Sequence, residues 1–178
     1  ADDPDARRMG ERLFVNYCAT CHGSDARGAR GFPNLRDNDW LYGGAPETIE
    51  QTIMSGRSGV MPAWESELGG EAGVADVAEY VIGLSGRNVD TAAAARGGEK
   101  YAALCAACHG ADGTGNQALG APNLTDNIWL YGGSKTRVEE TIAKGRNGIM
   151  PAHADFLGKD KVHLLAAYVY SLSTGQVS

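Results

Sequence analysis

All four cysteines of the 178-residue chain fall in two short runs, Cys18-Ala19-Thr20-Cys21-His22 and Cys105-Ala106-Ala107-Cys108-His109. Three chemistries use cysteine pairs of this kind. Two disulfides would suit an exported chain, but they give the histidine after each pair no task. Zinc needs further ligands at finger-like spacing. The only other histidines, His153 and His163, both lie in the second half, so two equivalent zinc sites cannot be built. Covalent haem attachment uses every cysteine and the histidine of both runs. The two thiols add to the porphyrin vinyls, their spacing sets them on one helical turn, and the next histidine supplies an axial imidazole. The spacing therefore points to two covalently bound haem c groups, with Cys18, Cys21, Cys105 and Cys108 as attachment points and His22 and His109 as iron ligands.

The iron has a second axial position, and a repeat in the chain selects its ligand. Met9 and Met54 have Arg96 and Ala143 as counterparts, so neither repeats, and both read as helix core. Met61 and Met150 do repeat, each after Gly-Val or Gly-Ile and each before proline. A loop thioether fixed by proline suits the open position, raises the reduction potential and favours electron transfer over small-molecule binding. His153, three residues after Met150 and matched by Trp64, is the rival ligand at the second site, where it would lower the potential. Otherwise it is a surface or hydrogen-bonded histidine. His163, beside Val162 and Leu164, reads as structural. Arg57 and Arg146 are suited to pairing with haem propionates, against the plainer reading of surface charge. Trp40, Tyr42, Trp129 and Tyr131 are candidate haem-edge residues, a role compatible with ordinary packing.

The elements that position these residues come twice. Pro33 to Gly44 recurs as Pro122 to Gly133, with ten of twelve positions identical at an offset of 89, while the cysteine motifs repeat at an offset of 87. The two-residue difference falls between His22 and Pro33, in glycine-containing loop. The expected domains are therefore residues 1–87 and residues 88–178. Met9, Leu13, Phe14 and Tyr17 form one apolar helical face, matched by Ala94, Gly97, Tyr101 and Leu104. Val74, Val77, Val81 and Leu84 make a closing stripe, matched by Val162, Leu165, Val169 and Leu172. Short helices are expected at Glu47–Ser55 and Arg137–Lys144, and no strand pattern stands out. Each copy reads as all-α with much loop.

Composition narrows the partners. The net charge of −6 argues against nucleic acid, and no apolar run reaches the length of a membrane span. The opening Ala1-Asp2-Asp3-Pro4 reads as the start of a processed or trimmed chain. Residues 1–90 carry 8 Arg against 15 acidic residues, net −7, while residues 91–178 carry net +1. This is either a solvated acidic surface or a first domain that steers a basic partner. With 25 glycines and only 7% aromatic residues, a half-chain has little bulk for a core unless a cofactor completes it.

The motifs resemble those of dihaem c-type cytochromes and, more closely, the periplasmic part of the dihaem subunit of cbb3-type cytochrome c oxidases. The likeness spans nearly the whole chain. It rests on Gly31-Phe32-Pro33-Asn34-Leu35, the paired Trp-Leu-Tyr-Gly-Gly segments, the paired Gly-Arg…Met-Pro-Ala segments and the ending Ala166 to Leu172. The resemblance implies tandem cytochrome c domains with histidine–methionine ligation, His22 with Met61 and His109 with Met150. It implies that Pro33 and Pro122 carbonyls accept from the two imidazoles. It also implies glycine–aromatic contacts among Gly10, Phe14 and Tyr80, and among Gly97, Tyr101 and Tyr168. The implied role is one-electron transfer in the periplasm, from a donor protein to a membrane oxidase, with oxygen chemistry left to another polypeptide. That subunit has an amino-terminal membrane anchor and this sequence shows none, so membrane association would come through a missing anchor or a partner subunit. The alternatives are a free periplasmic shuttle like the cytochrome c4 group, a dihaem peroxidase, or a gas-binding cytochrome.

Overall fold

A computed structural model describes residues 3–175; Ala1-Asp2, part of the start read as trimmed, lies outside them. Chain order gives α1 (Pro4–Tyr17), α2 (Ala19–His22), α3 (Pro46–Ser55), β1 (Arg57–Met61), α4 (Glu71–Leu84), α5 (Thr91–Leu104), α6 (Ala106–His109), α7 (Lys135–Lys144), β2 (Arg146–Met150), α8 (Ala154–Leu157) and α9 (Lys159–Ser173). The molecule is mostly helical, as expected, and the short helices α3 and α7 fall where the sequence puts them. The start of each repeat is fixed by an aspartate. The Asp3 carboxylate accepts from the Asp5 and Ala6 amides at the head of α1, and Asp90 does the same for Ala92 and Ala93 at the head of α5.

Helix pairing follows glycine. A Cβ on Gly10 would stand 2.6 Å from the Tyr168 Cβ and 2.7 Å from the Leu164 carbonyl, so α1 lies hard against α9. A Cβ on Gly97 would overlap the Asp76 carbonyl, so α5 lies hard against α4. Aromatic rings close each crossing, Phe14 with Tyr168 at 5.6 Å between centroids and Tyr80 with Tyr101 at 5.0 Å. The expected contacts of Gly10 and Phe14 with Tyr80, and of Gly97 and Tyr101 with Tyr168, are thus exchanged between the repeats.

The compact units follow this exchange. Unit 1 is Ala1–Ser58 with Gly148–Ser178, and unit 2 is Gly59–Asn147. The division at 87/88 follows the sequence repeat; the packing follows another line. The link between α4 and α5 is only six residues, 85–90, and a short link favours packing of consecutive helices. With α4 occupied by α5, the glycine face of α1 is met by the equivalent helix of the second repeat, α9. Each unit has its own core: Phe14, Leu165, Val162, Tyr168 and Ile53 in unit 1, and Tyr101, Val77, Ala78, Val81 and Ile142 in unit 2.

Two expectations fail locally. β1 and β2 pair as a two-stranded sheet, although no strand pattern was visible. Each has five residues and a central glycine, too short and too mixed for alternation to register. The chain leaves unit 1 within β1 and returns within β2. Met9 and Tyr17 are 48% and 46% exposed, so neither belongs to a core. The buried face of α1 is narrower, Gly10 and Phe14, with Leu13 half-buried against the same core.

Regrouping the residues also regroups the charge. Unit 1 holds 11 acidic residues against 9 Lys and Arg, net −2, and unit 2 holds 11 against 7, net −4. The contrast of −7 and +1 between sequence halves does not carry over to the compact units.

Candidate functional site

Each cysteine motif is a single helical turn following a longer helix. The Cys18 amide donates to Phe14 O and the Cys105 amide to Tyr101 O, each at 2.8 Å, so α1 and α5 end where the motifs begin. Cys18 and Cys105 are half-buried, Cys21 and Cys108 are exposed, and all four are free thiols. Burial, with a smaller contribution from Cys21, pushes the Cys18 thiol up to about 11. Burial also raises Cys105.

The imidazoles are held from behind. His22 Nδ1 donates to Pro33 O at 3.0 Å, and His109 Nδ1 donates to Pro122 O at 3.2 Å. A carbonyl can only accept, so Nδ1 carries the hydrogen and Nε2 keeps a free lone pair for a metal. Burial lowers the pKa of both rings, opposed by the proline hydrogen bonds. Both rings are therefore neutral at neutral pH.

The loop that returns each proline depends on one glycine. Gly28 and Gly115 donate to His22 O and His109 O, each at 2.8 Å. Both have positive φ, +74° and +84°, and a Cβ at either would strike the following proline's carbonyl carbon at 2.7 Å. The two-residue difference between repeats lies just beyond them, in turns closed by Ala29 with Phe32 and by Asn116 with Ala121.

The methionines fall in a cross-repeat arrangement. Met150 packs against the unit 1 core, as do Cys18, Ala19, Leu35 and Trp40. Met61 packs against the unit 2 core, as do Cys105, Ala106, Leu124 and Trp129. The expected pairs, His22 with Met61 and His109 with Met150, therefore sit in different units, because the chain changes units within the strands that end at each methionine. Of the other methionines, Met54 packs on the unit 1 core as expected.

Arg57 and Arg146 are half-buried and built in alike. Each guanidinium lies over a tyrosine ring, Arg57 over Tyr42 at 4.7 Å and Arg146 over Tyr131 at 4.8 Å. Each Nε donates to a threonine hydroxyl at 3.0 Å, Thr52 in one and Thr141 in the other. These threonines were not singled out in the sequence, although Thr-Ile repeats at the same offset as Gly-Arg. Trp40 and Trp129 lie flat against Gly44 and Gly133, where a Cβ would come within 2.5 Å and 2.6 Å of the indole. This explains the second glycine of each Trp-Leu-Tyr-Gly-Gly segment. His163 is exposed, and its Nδ1 lies 3.0 Å from Glu50. His153 is buried in unit 1.

Each unit thus joins a two-thiol turn, an anchored neutral imidazole, a thioether and a guanidinium held against an aromatic ring. That donor set fits a covalently attached haem. No group of three or more His, Cys, Asp or Glu among the described residues forms another metal site. Helical packing of this build around a Cys-Cys-His turn defines the c-type cytochromes. Comparison with known proteins narrows the class. The family described as cytochrome c oxidase, cbb3-type, subunit III matches at residues 5–81 and again at 92–169. The chain is 52% identical over 173 residues to a Cbb3-type cytochrome c oxidase subunit CcoP of Rubrivivax gelatinosus, covering 97% of this chain and 57% of that protein. It is 47% identical over 180 residues to a subunit FixP of Azorhizobium caulinodans, covering 96% of this chain and 61% of that protein. A FixP of Bradyrhizobium diazoefficiens is 46% identical over 181 residues, with 96% and 62% covered. The chain belongs to the family of subunit III of cbb3-type oxidases, whose cofactor is covalent haem c. It spans about three fifths of the length of these relatives. No helix among the described residues is long and apolar enough to cross a membrane.

Proposed function

We propose that each unit holds one haem c and that the chain passes single electrons between redox partner proteins. In unit 1, Cys18 and Cys21 would attach the haem and His22 and Met150 would ligate its iron. In unit 2, Cys105 and Cys108 would attach it and His109 and Met61 would ligate its iron. The observation that carries the reading is that in each unit the cysteine motif and one methionine pack against the same core, Cys18 and Ala19 with Met150 and Cys105 and Ala106 with Met61.

Haem c supplies the one-electron couple when bound. The chain supplies its fixed surroundings. Pro33 and Pro122 hold each imidazole in the tautomer that presents Nε2 and orient the ring. Met61 and Met150 would each supply the second iron ligand, which would leave no open position for peroxide or a gas. Arg57 and Arg146, each braced by a threonine and a tyrosine, are placed to pair with propionates and to hold them against reorganisation. Trp40 and Trp129 flank the sites with apolar area and an indole N–H. Pre-set ligands on both sides favour rapid electron exchange, because little must move when the charge changes.

At the level of the assembly, the chain is the electron-input part of a cbb3-type oxidase on the periplasmic side of the membrane. It accepts electrons from a periplasmic donor and delivers them toward a catalytic subunit, and is not itself an enzyme. The membrane link is supplied by another segment or by a partner subunit.

The ligand pairing gives the test. In a chain carrying Cys105→Ala with Cys108→Ala, only the first haem attaches, and the haemochrome yield halves. Adding Met150→His there lowers the remaining potential, while Met61→His leaves it nearly unchanged. The reverse result would restore the sequential pairing, and an unchanged haem yield would refute attachment at Cys105 and Cys108.

A further inference from the structure

We propose that His153 is a second distal ligand for the iron of unit 1, able to take the place of Met150. The proposal rests on the haem reading above and adds a residue that the reading does not use. His153 is only 9% exposed. Its Nδ1 is fully enclosed and has no hydrogen-bond partner among the described residues. Buried ring nitrogens are ordinarily satisfied, and one that is not asks for an explanation. His22 and His109 show the contrast, since each has its Nδ1 tied to a proline carbonyl.

The His153 backbone, unlike its ring, is anchored. Its amide donates to Ile53 O at 3.0 Å, and its carbonyl accepts from the Leu157 amide at 3.1 Å. The ring lies beside Phe156, at 5.3 Å between centroids. It stands three residues beyond Met150 in the same unit as His22. In unit 2 the same place belongs to Trp64, whose amide makes the matching bond to Ile142 O at 3.0 Å. An indole N–H has no lone pair to offer a metal. The two units therefore have the same build but differ in their reserve of ligands, and the reserve lies with the first cysteine motif.

The exchange balances simply. The iron–sulfur bond breaks, the neutral imidazole lone pair forms an iron–nitrogen bond, and no proton or electron moves. Nitrogen is the harder donor and favours the ferric state, so the exchange lowers the potential of unit 1 alone.

The experiment compares the whole holoprotein with Met61→Ala and Met150→Ala by ferric electron paramagnetic resonance and near-infrared magnetic circular dichroism, with carbon monoxide added to the ferrous forms. Met61→Ala should give one high-spin, carbon monoxide-binding haem. Met150→Ala should keep both haems low-spin, with a bis-imidazole signature replacing one thioether signature. Met150→Ala with His153→Ala should then become high-spin, and Met61→Ala with Trp64→His should regain a low-spin site in unit 2. A high-spin haem in Met150→Ala, or a low-spin one that survives loss of His153, would overturn the proposal alone. Fewer than two haems in the unsubstituted chain would overturn the haem reading and this proposal with it.

Discussion

At the residue scale, what was legible in the sequence was local covalent chemistry. A Cys-x-x-Cys-His run needs only one helical turn to make sense, so Cys18, Cys21 and His22 declare their purpose without a fold around them. The recurrence of Arg57 and Arg146 was legible as a repeated Gly-Arg dipeptide, and the propionate role proposed for them rests on it. Their bracing by Thr52, Thr141, Tyr42 and Tyr131 was not, because it joins a helix end to a loop some ten to fifteen residues upstream. The bracing makes the role testable. Removing a cation beside a haem favours the ferric state, and a paired charge of this kind is worth about 1 kcal/mol, or roughly 40 mV for a one-electron couple. Arg57→Gln should lower the potential of the unit 1 haem by about that much and leave the other in place, read in a redox titration that resolves the two. Equal shifts at both haems, or none, would return Arg57 to the status of surface charge.

At the element scale, the helices were legible from their stripes, and their partners were not. Gly10 and Gly97 each offer a bare patch, and Tyr80 and Tyr168 each offer a ring to cover it, so sequence alone finds both pairings equally good. The structure shows a six-residue link joining α4 to α5, which favours one of them. The α4–α5 crossing is further held by Asp76, which accepts from Arg96 at 2.6 Å and from Lys100 at 3.0 Å. Its side chain is 10% exposed, and hydrogen bonds from these two cations hold its carboxyl down at about 2. The native state therefore keeps a charge that the unfolded chain, with a carboxyl near 3.9, gives up earlier. The resulting stability is present above about pH 4 and is lost as pH falls toward 2. Asp76→Asn should lower the urea midpoint of unit 2 at pH 6, and the gap from the unsubstituted chain should close near pH 2. A gap independent of pH would mean that Asp76 acts by shape and not by charge.

At the scale of the whole molecule, the exchanged helices change what the net charge of −6 says about partners. Read in sequence halves, one domain is strongly acidic and the other near neutral. Read in compact units, both are mildly acidic, at −2 and −4. A basic donor would then find no strong preference in net charge alone, and the choice of docking site must rest on local surface.

The crossing of the chain within β1 and β2 also sets an order of assembly. Unit 2 is one unbroken stretch, complete once Asn147 has emerged during synthesis, whereas unit 1 must wait for its last helix, about 150 residues after its first. Contacts so distant in sequence form slowly, since the intervening chain must first be closed into a loop. The second haem site would thus mature before the first, with His22 held open until Met150 arrives. A chain ending at Asn147 should show the thioether charge-transfer band for the haem at Cys105 and Cys108 and lack it for the haem at Cys18 and Cys21. The opposite pattern would mean that maturation follows the order of the sequence repeats.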